Sequence, residues 1–146
     1  LHLTVHAGEW AGAPSVREAL VDLNAERIGH GVRILEDSST VAIAREHQTA
    51  FEVCVTSNYQ TGVSPSLGTH PLIDMLDEGL NITLGTDDPS ISQITLSDEY
   101  RQACEGLGMP LQVLKERILA AAQASFLTKA EKTQLAASLK QELQIT

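Results

Sequence analysis

The stretch LHLTVHAGEWAGAPSVREALVDLNAERIGHG, Leu1 to Gly31, decides the fold class. Leu1, Leu3, Val5 and Ala7 alternate with His2, Thr4 and His6, which is the two-residue period of a strand. Glycine punctuation follows, and then APSVREALVDLN, where Pro14 suits a first helical turn and Val16, Ala19, Leu20 and Leu23 fall on one face. ERIGHG, Glu26 to Gly31, is a second short strand. One unit of strand, helix and strand has therefore been completed within the first 31 residues.

Outward from it the same alternation continues. A helix is predicted near STVAIAREHQ, and AFEVCV (50–55) is β-branched and aromatic enough for a third strand. TSNYQTGVSPSLGTH reads as a polar loop leading to a helix at PLIDMLDEG, closed by Gly79, and LNITLG (80–85) is the fourth strand. Helices near TLSDEYRQACEGL, LQVLKERILAAAQAS and KAEKTQLAASLKQEL follow, the last with Thr128 and Glu131 placed as a capping box. Strand alternating with helix implies parallel strands joined by right-handed crossovers, so the class is α/β. An open doubly wound sheet and a (β/α)8 barrel both satisfy that pattern. In either, chemistry collects where strands end.

Composition narrows the functions available. The chain has 146 residues, 42% of them hydrophobic, enough for the core of one domain. Ten Lys and Arg stand against nineteen Asp and Glu, a formal net charge of −9, which disfavours a nucleic-acid backbone or an anionic membrane as partner. Cys54 and Cys104 lie in no metal-like spacing and suggest a reducing compartment. No apolar run approaches the ~20 residues of a membrane span, and no secretory leader opens the chain, so a cytoplasmic location is expected. A chain that begins inside a strand is expected to be cut from a longer protein.

The four strands end in HAGE, GHG, CVTSN and GTDDP. His6, His30, Cys54 and Asp87 are thus spaced by 24, 24 and 33 residues, the rhythm of successive strand–helix units. Singly each has a plain structural explanation. A His closing a strand is commonly bonded to a neighbouring loop, Glu9 could be solvated or cap a helix, and Asp87 and Asp88 before Pro89 could form a turn and an N-cap. His70, before Pro71, could cap a helix or line a mouth, while His2 and His47 look structural. Together they form a ring of polar groups on one rim. A cation there would explain two adjacent carboxylates: Asp87 ligates it, and Asp88 is free to accept a hydrogen bond from a substrate. Imidazole and carboxylate donors suit zinc, which lowers the pKa of a coordinated water to about 7. His30 could then take up a proton or orient the nucleophile, and Glu9 would be the acid on the substrate side. His6 and Asp87 supply two ligands, fewer than a stable site wants.

HAGE (6–9), RIGHG (27–31), CVTSN (54–58) with the TG and HP after it, LGTDDP (84–89) and SFL (125–127) resemble the second half of the adenosine deaminase family, zinc-dependent members of the amidohydrolase superfamily. The resemblance implies the C-terminal half of a (β/α)8 TIM barrel, with four parallel strands, their helices and extra C-terminal helices across residues 1–146. It implies that His6 and Asp87 bind zinc, that Glu9 protonates a purine ring nitrogen, and that His30 activates or positions the nucleophile. Asp88 would hold the purine on its five-membered side, Gly8 would also meet the substrate, and Ser57 would stand behind the ligands. The reaction implied is hydrolytic removal of the 6-amino group of adenosine or 2′-deoxyadenosine, giving inosine and ammonia.

Two departures from the family pattern stand out. Val55 follows Cys54 where the family usually has Pro, and the family's HxH pair, which brings two more zinc ligands, is absent. About half a barrel's strands leave two sheet edges and an interior uncovered, so the chain is expected to need the N-terminal half of the barrel or to self-associate. Alone it is expected to have little or no activity. Adenine or modified adenine nucleosides are alternative substrates, and a non-catalytic interaction module descended from such an enzyme is the alternative class.

Overall fold

The computed structural model describes residues 1–145. Four strands, β1 (Thr4–Ala7), β2 (Arg27–His30), β3 (Ala50–Val53) and β4 (Asn81–Leu84), form one parallel sheet in the order β1-β2-β3-β4. A doubly wound sheet reverses its strand order, and this one does not. When right-handed crossovers always step to the same side, their helices all fall on one face, which is the winding of consecutive units in a (β/α)8 barrel. Helices α1 (Ala13–Val21), α2 (Ser38–His47), α3 (Val55–Gln60) and α4 (Leu72–Asp77) lie between or after the strands. Beyond β4 come α5 (Pro89–Ser92), α6 (Leu96–Arg101), α7 (Leu111–Ala124) and α8 (Lys129–Leu143). α7 packs along β4 and α8 along α7. Among the described residues no helix is long and apolar enough to cross a membrane.

Register separates the two faces of the sheet. Val5, Ile28, Phe51 and Ile82 stand side by side in one row, and the last three are fully buried with Val16, Leu20, Val41, Leu72 and Met75 in the core. One residue on, the side chains alternate to the other face, and His6, Gly29, Glu52 and Thr83 form the next row. On that face Arg27 donates to Thr4 Oγ1 at 2.8 Å and pairs with Glu52 at 3.1 Å. Phe126, from the SFL motif, lies 3.8 Å from the Arg27 guanidinium and stacks on His2 at 4.7 Å. The amino ends of the strands are thereby capped by an aromatic ring, and the opposite ends are left for chemistry.

Several expectations change at the level of elements. β1 starts at Thr4, not at Leu1, and His2 precedes it, with its ring 2.9 Å from the Glu26 carboxylate. α1 stops at Val21 because the chain turns left-handed at Asn24, so Leu23 is exposed instead of completing the buried face. VTSNYQ, read as the end of a strand and the start of a loop, forms α3. TLSDEYRQACEGL is α6 followed by a π-helical turn at Gln102–Gly106, and a capping box joins Thr95 and Asp98. The predicted box at Thr128 and Glu131 is present, and Gly79 closes α4 with φ +74°.

Candidate active site at the carboxyl ends of the strands

His6 sits in β1, His30 ends β2, and Asp87 lies three residues past β4. Each can present one ligand atom such that all three atoms lie within 4.8 Å of one another. The His6 and His30 rings are 5.2 Å apart, and Glu9 Oε2 and Asp87 Oδ2 approach His30 Nε2 to 3.5 and 3.9 Å. Imidazole and carboxylate donors are the kind that a borderline divalent ion such as zinc takes, and His6 and Asp87 are near enough to share one.

Backbone conformation aims these groups. His30 and Asp87 both adopt left-handed φ, +62° and +59°, which non-glycine residues seldom hold without compensation. At Asp87 this turn separates the consecutive carboxylates. Asp87 faces His30, whereas Asp88 has extended backbone and caps α5, its Oδ1 accepting the N–H groups of Ser90 and Ile91 at 3.0 and 3.2 Å. The repulsion expected of adjacent charges is relieved by direction as well as by any cation. Gly8 has φ +66°, and a Cβ there would run into Val16. Its N–H is donated to Ser15 Oγ at 2.9 Å and its carbonyl accepts Arg33 N–H at 2.9 Å, so Gly8 shapes the turn that carries Glu9.

Gly29 has a separate task, invisible in the sequence. A Cβ built on it would lie 3.1 Å from two atoms of the His6 ring, so the imidazole rests flat on the space that glycine leaves open. The neighbouring strand, through register alone, thus sets where a candidate ligand can sit.

α3 is the hub of the rim. Three successive residues in its first turns reach three different partners. Thr56 donates its N–H and hydroxyl to Glu99, Ser57 Oγ donates to Asp87 Oδ2 at 2.8 Å, and Asn58 Nδ2 lies 3.1 Å from His30 Nδ1. Glu99 is fully buried, and that burial pushes its carboxyl above the ordinary carboxylate range even though Thr56 bonds favour the anion. Asn58 Oδ1 in turn lies 3.1 Å from His70 Nε2, and the Leu72 N–H donates to His70 Nδ1 at 3.1 Å. His70 therefore caps α4, one of the two roles its sequence position suggested. Burial holds its pKa down to about 4, and burial also depresses that of His30 despite the opposing pull of Glu9 and Asp87.

Cys54 is not one of the three converging donors. It is buried, burial first and Asp87 second push its thiol up to about 12, and it and Cys104 are both free. A protonated thiol is a poor ligand and nucleophile. His47, at the end of α2, is exposed and is not among the converging donors.

Comparison with known proteins gives concordant matches. A family model described as adenosine deaminase matches residues 1–142. An adenosine deaminase from Edwardsiella ictaluri is 42% identical over 131 residues, covering 90% of this chain and 39% of the relative. The chain spans about two fifths of the length of the curated relatives it matches. Among solved structures, an adenine deaminase from Arthrobacter aurescens superposes with a TM-score of 0.93 at 30% identity, over 99% of this chain and 44% of that one. An Arabidopsis protein crystallised with IMP superposes with a TM-score of 0.85 at 26% identity, over 99% and 42%.

Proposed function

Because the chain belongs to the adenosine deaminase family, we propose that it carries the catalytic rim of a hydrolytic deaminase, removing the 6-amino group of adenosine or 2′-deoxyadenosine as part of a complete barrel. The observation that carries this reading is the convergence of His6, His30 and Asp87 within 4.8 Å, with Glu9 beside them.

His6 and Asp87 would hold zinc, with further ligands from the remainder of the barrel, and Ser57 would keep Asp87 aimed through its 2.8 Å bond. Bound there, zinc supplies a water that ionises near neutral pH. Attack at the carbon bearing the amino group breaks ring conjugation, so the ring nitrogen beside it must be protonated in step. Glu9 gives that proton. His30 positions the attacking oxygen, Gly8 and Asp88 line the purine side, and the free edge of the Asp88 carboxyl group faces the five-membered ring. Water adds, the amino group leaves as ammonia, and inosine is released.

The remainder of the barrel would pair with β1 and β4, each of which has one partner strand among the described residues. The test is ammonia release from adenosine, adenine and adenosine monophosphate by the complete zinc-loaded barrel and by the 146-residue chain alone. Turnover of adenosine by the complete form and about none by the chain is expected. Preference for free adenine would move the assignment to the second substrate class, that of the adenine deaminase on which the chain superposes. No turnover of any of the three would overturn the reading.

A further inference from the structure

We propose that Asn58 and His70 are positioning residues for His30, fixing its tautomer so that Nε2 carries the ring proton toward Glu9 and Asp87. The tautomer follows from the contacts alone, while its catalytic use rests on the deaminase reading above.

The derivation starts from a group whose role is not in question. A backbone N–H only donates, so the Leu72 N–H, 3.1 Å from His70 Nδ1, makes that nitrogen an acceptor. A neutral His70 then has its proton on Nε2, and Nε2 donates to Asn58 Oδ1 at 3.1 Å. That bond settles which end of the Asn58 amide is oxygen. Its Nδ2 must face His30 and donate to Nδ1 at 3.1 Å. With Nδ1 engaged as an acceptor, a neutral His30 carries its proton on Nε2, the nitrogen 3.5 Å from Glu9 and 3.9 Å from Asp87.

Burial gives the relay its force. His30, Asn58 and His70 are 2%, 0% and 5% exposed, so water offers no substitute partner, and reversing any one bond would leave two donors or two acceptors facing each other. The three side chains come from the end of β2, from α3 and from the loop just before α4. Packing of those elements therefore dictates a proton position at the site. His30 meets an incoming oxygen as a hydrogen-bond donor, which aligns that oxygen's lone pairs and leaves the ring no free nitrogen lone pair on that side.

Two-bond ¹H–¹⁵N correlation spectra of the full-length protein carrying this chain, labelled at its histidines, read the tautomer directly. His30 is expected to show a pyridine-type Nδ1 and a pyrrole-type Nε2 at neutral pH. In Asn58→Asp the isosteric carboxylate accepts from both rings, so the His30 pattern inverts. His70→Asn still accepts the Leu72 N–H but falls short of Asn58, and His30 becomes a mixture; His70→Gln reaches Asn58 and retains the wild-type pattern. In the complete enzyme, Asn58→Asp lowers kcat by about tenfold or more with KM nearly unchanged. A protonated Nδ1 in the wild type, or a His30 pattern indifferent to both Asn58→Asp and His70→Asn, overturns the proposal. The wild-type spectrum decides even if a variant fails to fold. A wild-type pattern as expected in a protein without turnover would refute the deaminase reading and leave the relay standing.

Discussion

Replacing His70 with Gln removes a buried titrating group while leaving a donor that reaches Asn58. Burial lowers the His70 pKa from its ordinary 6.5 to about 4. Between those values the unfolded chain holds a proton that the folded chain does not, so stability rises with pH across the window. The contribution is complete above pH 6.5 and is lost as pH falls toward 4. A shift of that size corresponds to about 3 kcal/mol. His30, also depressed by burial, pulls in the same direction, and Glu99, raised by burial, pulls the other way by favouring the folded state in acid. Both are common to wild type and variant, so the informative quantity is the difference between the two proteins. Urea titrations at intervals from pH 7.5 to 4.5 measure it. With a slope of ~2 kcal/mol/M, the wild-type midpoint should fall by about 1 M or more relative to His70→Gln on acidification. A difference that stays flat with pH, or widens in the opposite sense, would show that His70 is not held neutral by burial.

Three further outcomes concern the rim. Gly29→Ala places a methyl 3.1 Å from the His6 ring and should weaken zinc binding about tenfold in a metal competition titration, with stability changed by no more than about 1 kcal/mol; unchanged affinity would mean that the ring has room to spare. Ser57→Ala deletes the 2.8 Å bond to Asp87 and should cost 10- to 100-fold in zinc affinity by the same titration, whereas an effect confined to thermal stability would reduce Ser57 to a packing residue. Asp88→Ser keeps an N-cap for α5, so folding stability should hold to about 0.5 kcal/mol, while KM for adenosine rises about tenfold because the shorter side chain no longer reaches the purine; equal KM values would confine Asp88 to its cap.

What could be read in advance depended on how local the cause was. The strand of His6 declares itself by alternation, and HAGE, GHG and TDDP mark strand ends because glycine and acidic turn residues sit where the chain must change direction. α3 was hidden because VTSNYQ is short, polar and β-branched at its start, a poor helix on propensity. It forms because Glu99, 43 residues later, receives the Thr56 N–H and hydroxyl inside the core. Nothing near Glu99 in the sequence signals a buried carboxylate. Ser57 is legible through family resemblance, whereas Asn58, between two histidines far from it in the chain, and Gly29, beneath a ring from the adjacent strand, depend on pairings that only the folded sheet creates.

The left-handed turn at Asp87 sets two selection pressures against each other. Glycine would relax that position by roughly 1 kcal/mol, and it would delete the reactive group in the same step. A variant library screened only for heat resistance should therefore enrich glycine at residue 87, and the survivors should be sturdier and inert; the buried His30 gains nothing from the same change, because glycine there would leave Asn58 without its partner. Screening the same library for turnover should return Asp at residue 87, the difference between the two outcomes measuring what this rim sacrifices in robustness to keep its chemistry.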